Sequence, residues 1–382
     1  MRRIVNLALY TVLVVLVVGG LLWLFRGQLL RLAGVSLDAG PGRLSGLAVP
    51  SGYSVEPFAT GLVGPRFMAV APDGTLLVAE RGNDRVVALP DRDGDGAADE
   101  TVVVGSGYDN AHSLAFAADG TLYVAGTGTL FAVELGPDLR ERSRRPILDL
   151  PTGGVHTTRT VTVLPDSQLL VSVGSTCNVC WETDPQRATI LIADADGSNS
   201  RVFMRGLRNA VGIAVDPAGV AWATVNGRDL MGDDVPPETL YRVQDGANAG
   251  WPRCHAGTIV DPDVGAQPDP TTGLVGCDGV VVPAATFQAH MAPLGIAFWD
   301  DHAYIAFHGS WNRSTKVGYA VGRVPWSAAG PAGALEPFLT GFLDDAGGDA
   351  SGRPAGLVVG SDGALYVSDD KAGAIYRITR SP

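Results

Sequence analysis

Three of the six histidines in this chain, His112, His156 and His290, stand just ahead of short apolar runs, and so do Arg66, Arg159, Arg208 with Asn209, and Arg353. An imidazole titrates near neutral pH and can take a proton from a hydroxyl, while a guanidinium stays charged and grips carboxylates with a fixed fork of donors. Any one of these residues alone reads as a solvated or capping side chain at a strand end. Gathered in one place, they make a site for an anionic ligand with a general base beside it.

Two acidic segments suggest a metal. Asp91-Arg-Asp93-Gly-Asp95-Gly96 carries carboxylates at alternate positions with Gly at the sixth, the spacing of a calcium loop, but the twelfth position is Val102 rather than Glu. A calcium-binding hairpin and a bare acidic turn remain equal readings. Asn226-Gly-Arg-Asp229, followed by Gly232-Asp-Asp-Val-Pro-Pro-Glu238, is a second acidic loop directly after a strand. Its backbone carbonyls and carboxylates also suit calcium, with a solvated connection as the alternative. No G-x-S-x-G, phosphate-loop or dinucleotide fingerprint occurs.

The elements that must position these residues repeat. An apolar run, a tight turn and a second alternating strand recur six times, the second strands beginning near residues 75, 121, 168, 220, 302 and 364. One four-stranded propeller blade takes about 40–50 residues, so six blades fit, with one long gap between 220 and 302. The expectation is an all-β, six-bladed β-propeller over residues 47–382. In a propeller the first strand of each blade lines the central axis, so the residues ahead of those strands meet at one mouth of the channel.

Ahead of the propeller, Ile4 to Phe25 is a run of 22 residues without a charge, enough to cross a membrane as one helix. Residues 1–25 are expected to be a transmembrane anchor, with a cleaved signal sequence as the alternative, and 26–46 a linker. The four cysteines, Cys177, Cys180, Cys254 and Cys277, allow three pairings; Cys177 with Cys180 and Cys254 with Cys277 is the expected one. A structural disulfide loop is the reading for Cys177-Asn-Val-Cys180, with a redox pair as the alternative. Disulfides place the propeller outside the cytoplasm. The composition agrees, with 50 Gly and 25 Pro for many turns, and a net charge of −12 that excludes nucleic acid as a partner.

Several longer segments carry a resemblance together: Gly206-Leu-Arg-Asn-Ala-Val-Gly212, His156-Thr-Thr-Arg159, Ser175-Thr-Cys-Asn-Val-Cys180, Asn226-Gly-Arg-Asp229, Gly250-Trp-Pro252, His290-Met-Ala-Pro-Leu-Gly295 and His308-Gly-Ser-Trp-Asn-Arg313. From about Pro50 onward the chain resembles the glucose/sorbosone dehydrogenase family, and in particular its sorbosone dehydrogenase branch. These are six-bladed propellers that use pyrroloquinoline quinone (PQQ). The resemblance implies that His156 is the base that takes the substrate's hydroxyl proton while hydride passes to the quinone. It implies that Arg208 and Asn209 hold PQQ and stabilise charge on its reactive carbonyl, and that Arg353 binds a cofactor carboxylate. The carbonyls of Gly227 and Arg228 fall where the family binds the calcium that polarises the quinone. His308 and Arg313 are the nearest candidates for a cofactor lysine of the glucose-oxidising relatives. Val155 and Ala355 replace an acid and a second cofactor arginine of those relatives. Arg66, Arg159, His112 and His290 enter the expected cofactor site through the ring of residues at the mouth.

The function so implied is oxidation of an aldose or sorbosone-like hydroxy-aldehyde by an anchored, extracytoplasmic PQQ enzyme that passes electrons to a membrane quinone or a cytochrome. Two other readings stand beside it. One is a calcium-dependent propeller lactonase or esterase, which would need a carboxylate cluster on the axis. The other is a non-catalytic propeller that binds carbohydrate or protein.

Overall fold

A computed structural model describes residues 46–343 and 348–381. The anchor expected at 1–25 and nearly all of the linker lie outside the described residues, among which no helix is long and apolar enough to cross a membrane.

Six antiparallel sheets of at least four strands make up the described chain, so the six blades expected from the repeat are six in the structure. Their inner strands are Pro65–Val70, Ser113–Phe116, Val161–Val163, Ala210–Val215, Pro293–Trp299 and Pro354–Val359. The second strands start at Leu76, Leu122, Leu169, Ala221, His302 and Leu365, within one residue of the starts read from the repeat.

Many of these strands read as unbroken apolar runs because both of their faces are covered. Leu169–Val173 and Thr189–Ala193 are buried at every position. Six apolar clusters each draw residues from two neighbouring blades, the sixth blade meeting the first. The core is therefore a ring of interfaces between sheets. Leu77, fully buried in the interface of the first and second blades, would cost about 2–5 kcal/mol if cut to Ala.

Two features go beyond the repeat. Tyr53–Ala59, from the start of the propeller, pairs with Ala374–Arg380 at its end. The sixth blade is thus built from both chain ends, which closes the ring and leaves no open seam. The long gap before residue 302 holds an insertion with the short pair Cys254–His255 and Ile259–Val260. The Cys254–Cys277 disulfide ties it down, and the blade's outer strand follows at Ala285–Phe287.

Near the axis the inner strands crowd one another. A Cβ on Gly212 would lie 2.1 Å from the Leu294 carbonyl oxygen, and one on Gly356 would lie 2.6 Å from that of Arg66. Only glycine fits at such approaches. Phe67, Val211, Leu294 and Ala355 form a small buried cluster on the axis. Val211 and Leu294 face a polar cavity at the start of the inner strands, whereas Phe67 faces a channel lined by the rest of those strands. The cluster is an apolar floor for the cavity above it.

Candidate active site

The polar cavity holds about 290 Å³ and lies where the inner strands begin. Arg66, His156, Arg208, Asn209, His290, His308 and Arg353 all line it, as does Gly227. The sequence pattern thus brings most of its expected site residues to one mouth.

His156 is oriented by its neighbour. Its Nδ1 lies 3.1 Å from the Ser175 carbonyl oxygen and 2.9 Å from Ser175 Oγ, and that hydroxyl itself donates to the Cys177 carbonyl at 2.7 Å. Both atoms facing Nδ1 are acceptors, so Nδ1 carries the proton and Nε2 keeps its lone pair. Burial, with the Arg208 charge adding to it, pushes the imidazolium down to about 3. His156 is therefore a neutral base across the physiological range. Gly174 makes room for it: a Cβ there would lie 2.6 Å from His156 Cβ and 2.9 Å from Asn209 Oδ1.

Donor accounting fixes how Arg208 is presented. Its Nε donates to the Asn178 carbonyl at 3.1 Å, and one terminal nitrogen donates to Asn178 Oδ1 at 2.9 Å and to Asp229 Oδ2 at 2.7 Å. Three of five N–H groups are spent, which leaves the other terminal nitrogen's pair for the cavity. Burial lowers the pKa of Arg208, and Asp229 and Glu238 oppose that shift.

The other cations differ in how far they are neutralised. Arg66 pairs with Asp370, whose carboxylate also accepts from His308 Nε2 at 2.9 Å. Burial alone would raise the Asp370 carboxyl, but the His308 hydrogen bond and the charges of His308 and Arg66 outweigh it and bring it to about 2. Among the described residues Arg353 donates to the carbonyls of His308 and Gly309 alone, at 2.9 and 2.7 Å. Arg81 donates to Thr157 Oγ1 at 3.2 Å, and its buried Nε has no partner. Among the described residues neither Arg81 nor Arg353 forms an ion pair with a carboxylate, so these two charges are offered to the cavity.

Not every expected site residue is brought there. His112 is buried beneath the floor, its Nδ1 bonded to the Arg159 carbonyl and its ring against Phe67; it touches Arg66 but does not line the cavity. Arg159 is fully buried, and its terminal nitrogens donate to the carbonyls of Pro151, His156 and Thr158. It shapes the His156 segment as a structural anchor. The Arg313 guanidinium bonds the Asp233 carbonyl and Asp234, outside the cavity lining. The Arg228 guanidinium bonds Asp261 and Asp263, which leaves the expectation for its main-chain carbonyl as it stands. His290 lines the cavity with Nε2 held by the Gly232 carbonyl at 2.8 Å.

Asp91, Asp93 and Asp95 bring carboxylate oxygens within 4.8 Å of one another, at the far end of the first blade. Each accepts amides of its own turn: Gly94 and Gly96 for Asp91, Asp95 for Asp93, and Ala97 for Asp95. The Cys177–Cys180 and Cys254–Cys277 disulfides are those expected.

Arg81, Asn178, Glu238 and Asp370 belong to the site without standing ahead of an inner strand. In an antiparallel blade the end of the second strand lies beside the start of the first. Arg81 and Asp370 directly follow second strands, as do Asn226 and His308. The residue after each second strand was the signal that could have found them. Glu238 opens a third strand, fully buried, and accepts the amides of Gly227 at 2.6 Å and Ala292 at 3.3 Å. Burial raises its carboxyl to about 7 against those two hydrogen bonds.

Known proteins resemble this chain in sequence and in fold. A protein-family model described as TrAA12-like matches residues 47–381. The pyrroloquinoline quinone-dependent pyranose dehydrogenase of Coprinopsis cinerea is 30% identical over 91% of this chain. The chain spans about half that relative's length, 56%. The holo structure of the PQQ domain of pyranose dehydrogenase from Coprinopsis cinerea superposes with a TM-score of 0.77 at 27% identity, covering 89% of this chain and 98% of that one. A calcium structure of the Trichoderma reesei enzyme of carbohydrate-active family AA12 gives 0.75 at 26% identity, covering 90% of this chain and all of that one, 100%. The chain belongs to the TrAA12-like family, a family of the PQQ-dependent sugar dehydrogenase type.

Proposed function

We propose that this chain is a PQQ-dependent oxidoreductase acting on sugars, with an aldose or a sorbosone-like hydroxy-aldehyde as the substrate class. One observation carries the reading: a neutral histidine base with a free Nε2 shares a cavity with two arginines that, among the described residues, no carboxylate neutralises. PQQ carries three carboxylates. The donor set suits it, because Arg81 and Arg353 offer unneutralised charge and Arg66 and Arg81 each keep a buried, unpartnered Nε. When bound, PQQ supplies a two-electron acceptor for oxidation of a sugar carbon.

His156 Nε2 would take the hydroxyl proton of the sugar. The free terminal nitrogen of Arg208 would stabilise negative charge that develops opposite it. Arg81, Arg353 and Arg66 would hold carboxylates, while the apolar floor keeps water out from below. Calcium is part of the proposal through Gly227 at the cavity wall, with Asp229 and Glu238 as the nearby acids, and the calcium structure of the Trichoderma reesei relative supports it. At the rim Trp311 is 70% exposed and faces the same cavity, and the neighbouring Asn312 has a buried Oδ1 without a partner. An indole face beside an amide acceptor suits the CH face and a hydroxyl of a sugar ring. A lactonase would need free carboxylates on the axis, and Asp229 is already paired with Arg208.

The proposal extends to residues 1–25 as a membrane anchor, to 26–46 as a tether, and to a propeller held outside the cytoplasm, where two disulfides persist. A membrane quinone or a cytochrome would receive the electrons. The test is to load the detergent-solubilised full chain with PQQ and calcium and to follow dye reduction across aldoses, sorbosone and polyols. Absence of PQQ binding would remove the proposal.

A further inference from the structure

The Cys177–Cys180 disulfide closes a loop whose middle residue, Asn178, bonds nothing within that loop. Its carbonyl accepts from Arg208 Nε at 3.1 Å and from Trp251 Nε1 at 3.1 Å. Its Oδ1 accepts from Arg208 at 2.9 Å and from the Asp229 amide at 2.9 Å, and its Nδ2 donates to the Asp229 carbonyl at 2.9 Å. The partners stand 30, 51 and 73 positions away. An asparagine in a tight loop ordinarily bonds its own turn; this one joins a cation of the site to the acidic loop that neutralises it. One residue earlier, the Cys177 carbonyl receives the Ser175 hydroxyl that orients His156. The same short segment therefore holds both the base and the arginine. The bridge closes a separation of 3 residues, against 23 for Cys254–Cys277. By chain entropy it constrains the unfolded chain less. What it holds in the folded state is the better account of its place.

We propose that the Cys177–Cys180 loop is a positioning element of the site, in which Asn178 fixes Arg208 and the Asp229 loop so that one terminal nitrogen of Arg208 faces the cavity. Loss of the Asn178 side chain removes one acceptor from Arg208 and both side-chain ties to Asp229, and the guanidinium can then rotate.

The test uses the full chain in detergent and compares Asn178→Ala, Asn178→Asp and a Cys177→Ser/Cys180→Ser double variant with the parent. PQQ affinity, read by quenching of tryptophan fluorescence, is expected to weaken about tenfold to a hundredfold in Asn178→Ala. At saturating PQQ, kcat is expected to fall more than the sugar KM changes. Asn178→Asp, which keeps the oxygen facing Arg208 and the Asp229 amide, is expected to recover part of the loss. The double variant is expected to follow Asn178→Ala with a smaller change. Without PQQ, hydrogen exchange is expected to quicken in residues 206–210 and 226–230 while the thermal midpoint stays near the parent's.

Unchanged PQQ affinity and kcat in Asn178→Ala overturn the proposal. So does faster exchange across the whole propeller with a fallen midpoint, which marks a purely structural loop. Parent-like behaviour of the double variant overturns the part given to the disulfide. This inference rests on the functional reading above only for its PQQ arm. If the parent itself fails to bind PQQ, the exchange experiment alone decides, local quickening supporting the clamp and its absence overturning it.

Discussion

The six inner strands have two ends, and the chain treats them differently. At the far end, in five of the six blades, an aspartate accepts the amide two residues on: Thr75 for Asp73, Thr121 for Asp119, Gln168 for Asp166, Ala218 for Asp216 and Ala364 for Asp362. These bonds are local, repeated and interchangeable. At the near end the arginines and histidines of different blades meet different partners, and the partners are remote, as in Arg66 with Asp370, 304 positions apart. The far end even has the larger cavity, about 550 Å³, but its cations are spent, Arg377 on Asp362 and Arg92 on Glu100. Volume does not make a site here. Charge left without a local partner does, because only such charge has free energy to gain from a ligand.

The sharpest way to break this contrast is His156→Ala. It should lower turnover about 10²–10⁴-fold in a dye-reduction assay of the PQQ-loaded protein while PQQ still binds. Turnover close to the parent's would take the base away from the near end. Arg81→Ala comes next. With an unneutralised guanidinium removed, PQQ should bind about tenfold more weakly or worse by fluorescence titration, with kcat at saturation less affected. An unchanged affinity would mean that Arg81 serves Thr157 alone.

A smaller effect concerns pH. The folded chain holds His156 neutral down to about 3, below its ordinary 6.5. As pH falls from about 6.5 towards 3, the unfolded chain takes up a proton that the folded one refuses, so this group's contribution to stability is lost across that window. The drop in thermal midpoint from pH 7 to pH 4 should therefore be smaller in His156→Ala than in the parent. The least effect is expected at the far end. Asp73→Ala removes one turn bond from an exposed position and should shift the midpoint by no more than about 4 °C, with kcat and PQQ affinity unaltered. A loss of activity there would erase the distinction between the two ends.

Legibility follows the same division. The six hairpins could be read because each is written within about twelve residues: an apolar run, an Asp or Gly turn, a second strand. The pairing of Tyr53–Ala59 with Ala374–Arg380 could not, since it joins the two ends of the propeller and neither strand marks the other. In the site, Arg66, His156, Arg208, Asn209, His290 and Arg353 were found because the residue before an inner strand must sit at the mouth. His112 and Arg159 stand at comparable positions, yet both turn away from the cavity, one under the floor and one into the carbonyls of its own segment. Position in the chain places a Cα, and the direction of a side chain depends on which partners the neighbouring blades present. Arg81 and Asp370 were hidden because the sixfold pattern was followed only at the first strand of each blade.

By itself the sequence determined the number of blades, the end at which the chemistry gathers and the types of group available there. Those follow from periodicity, and periodicity is local. Only the tertiary structure decided which charges are neutralised and which are left over, which nitrogen of His156 keeps its lone pair, and which edge of Arg208 meets the cavity. Those depend on contacts such as Asn178 with Arg208 and Asp370 with Arg66 and His308. Such contacts form only when a closed ring brings distant blades within hydrogen-bonding reach.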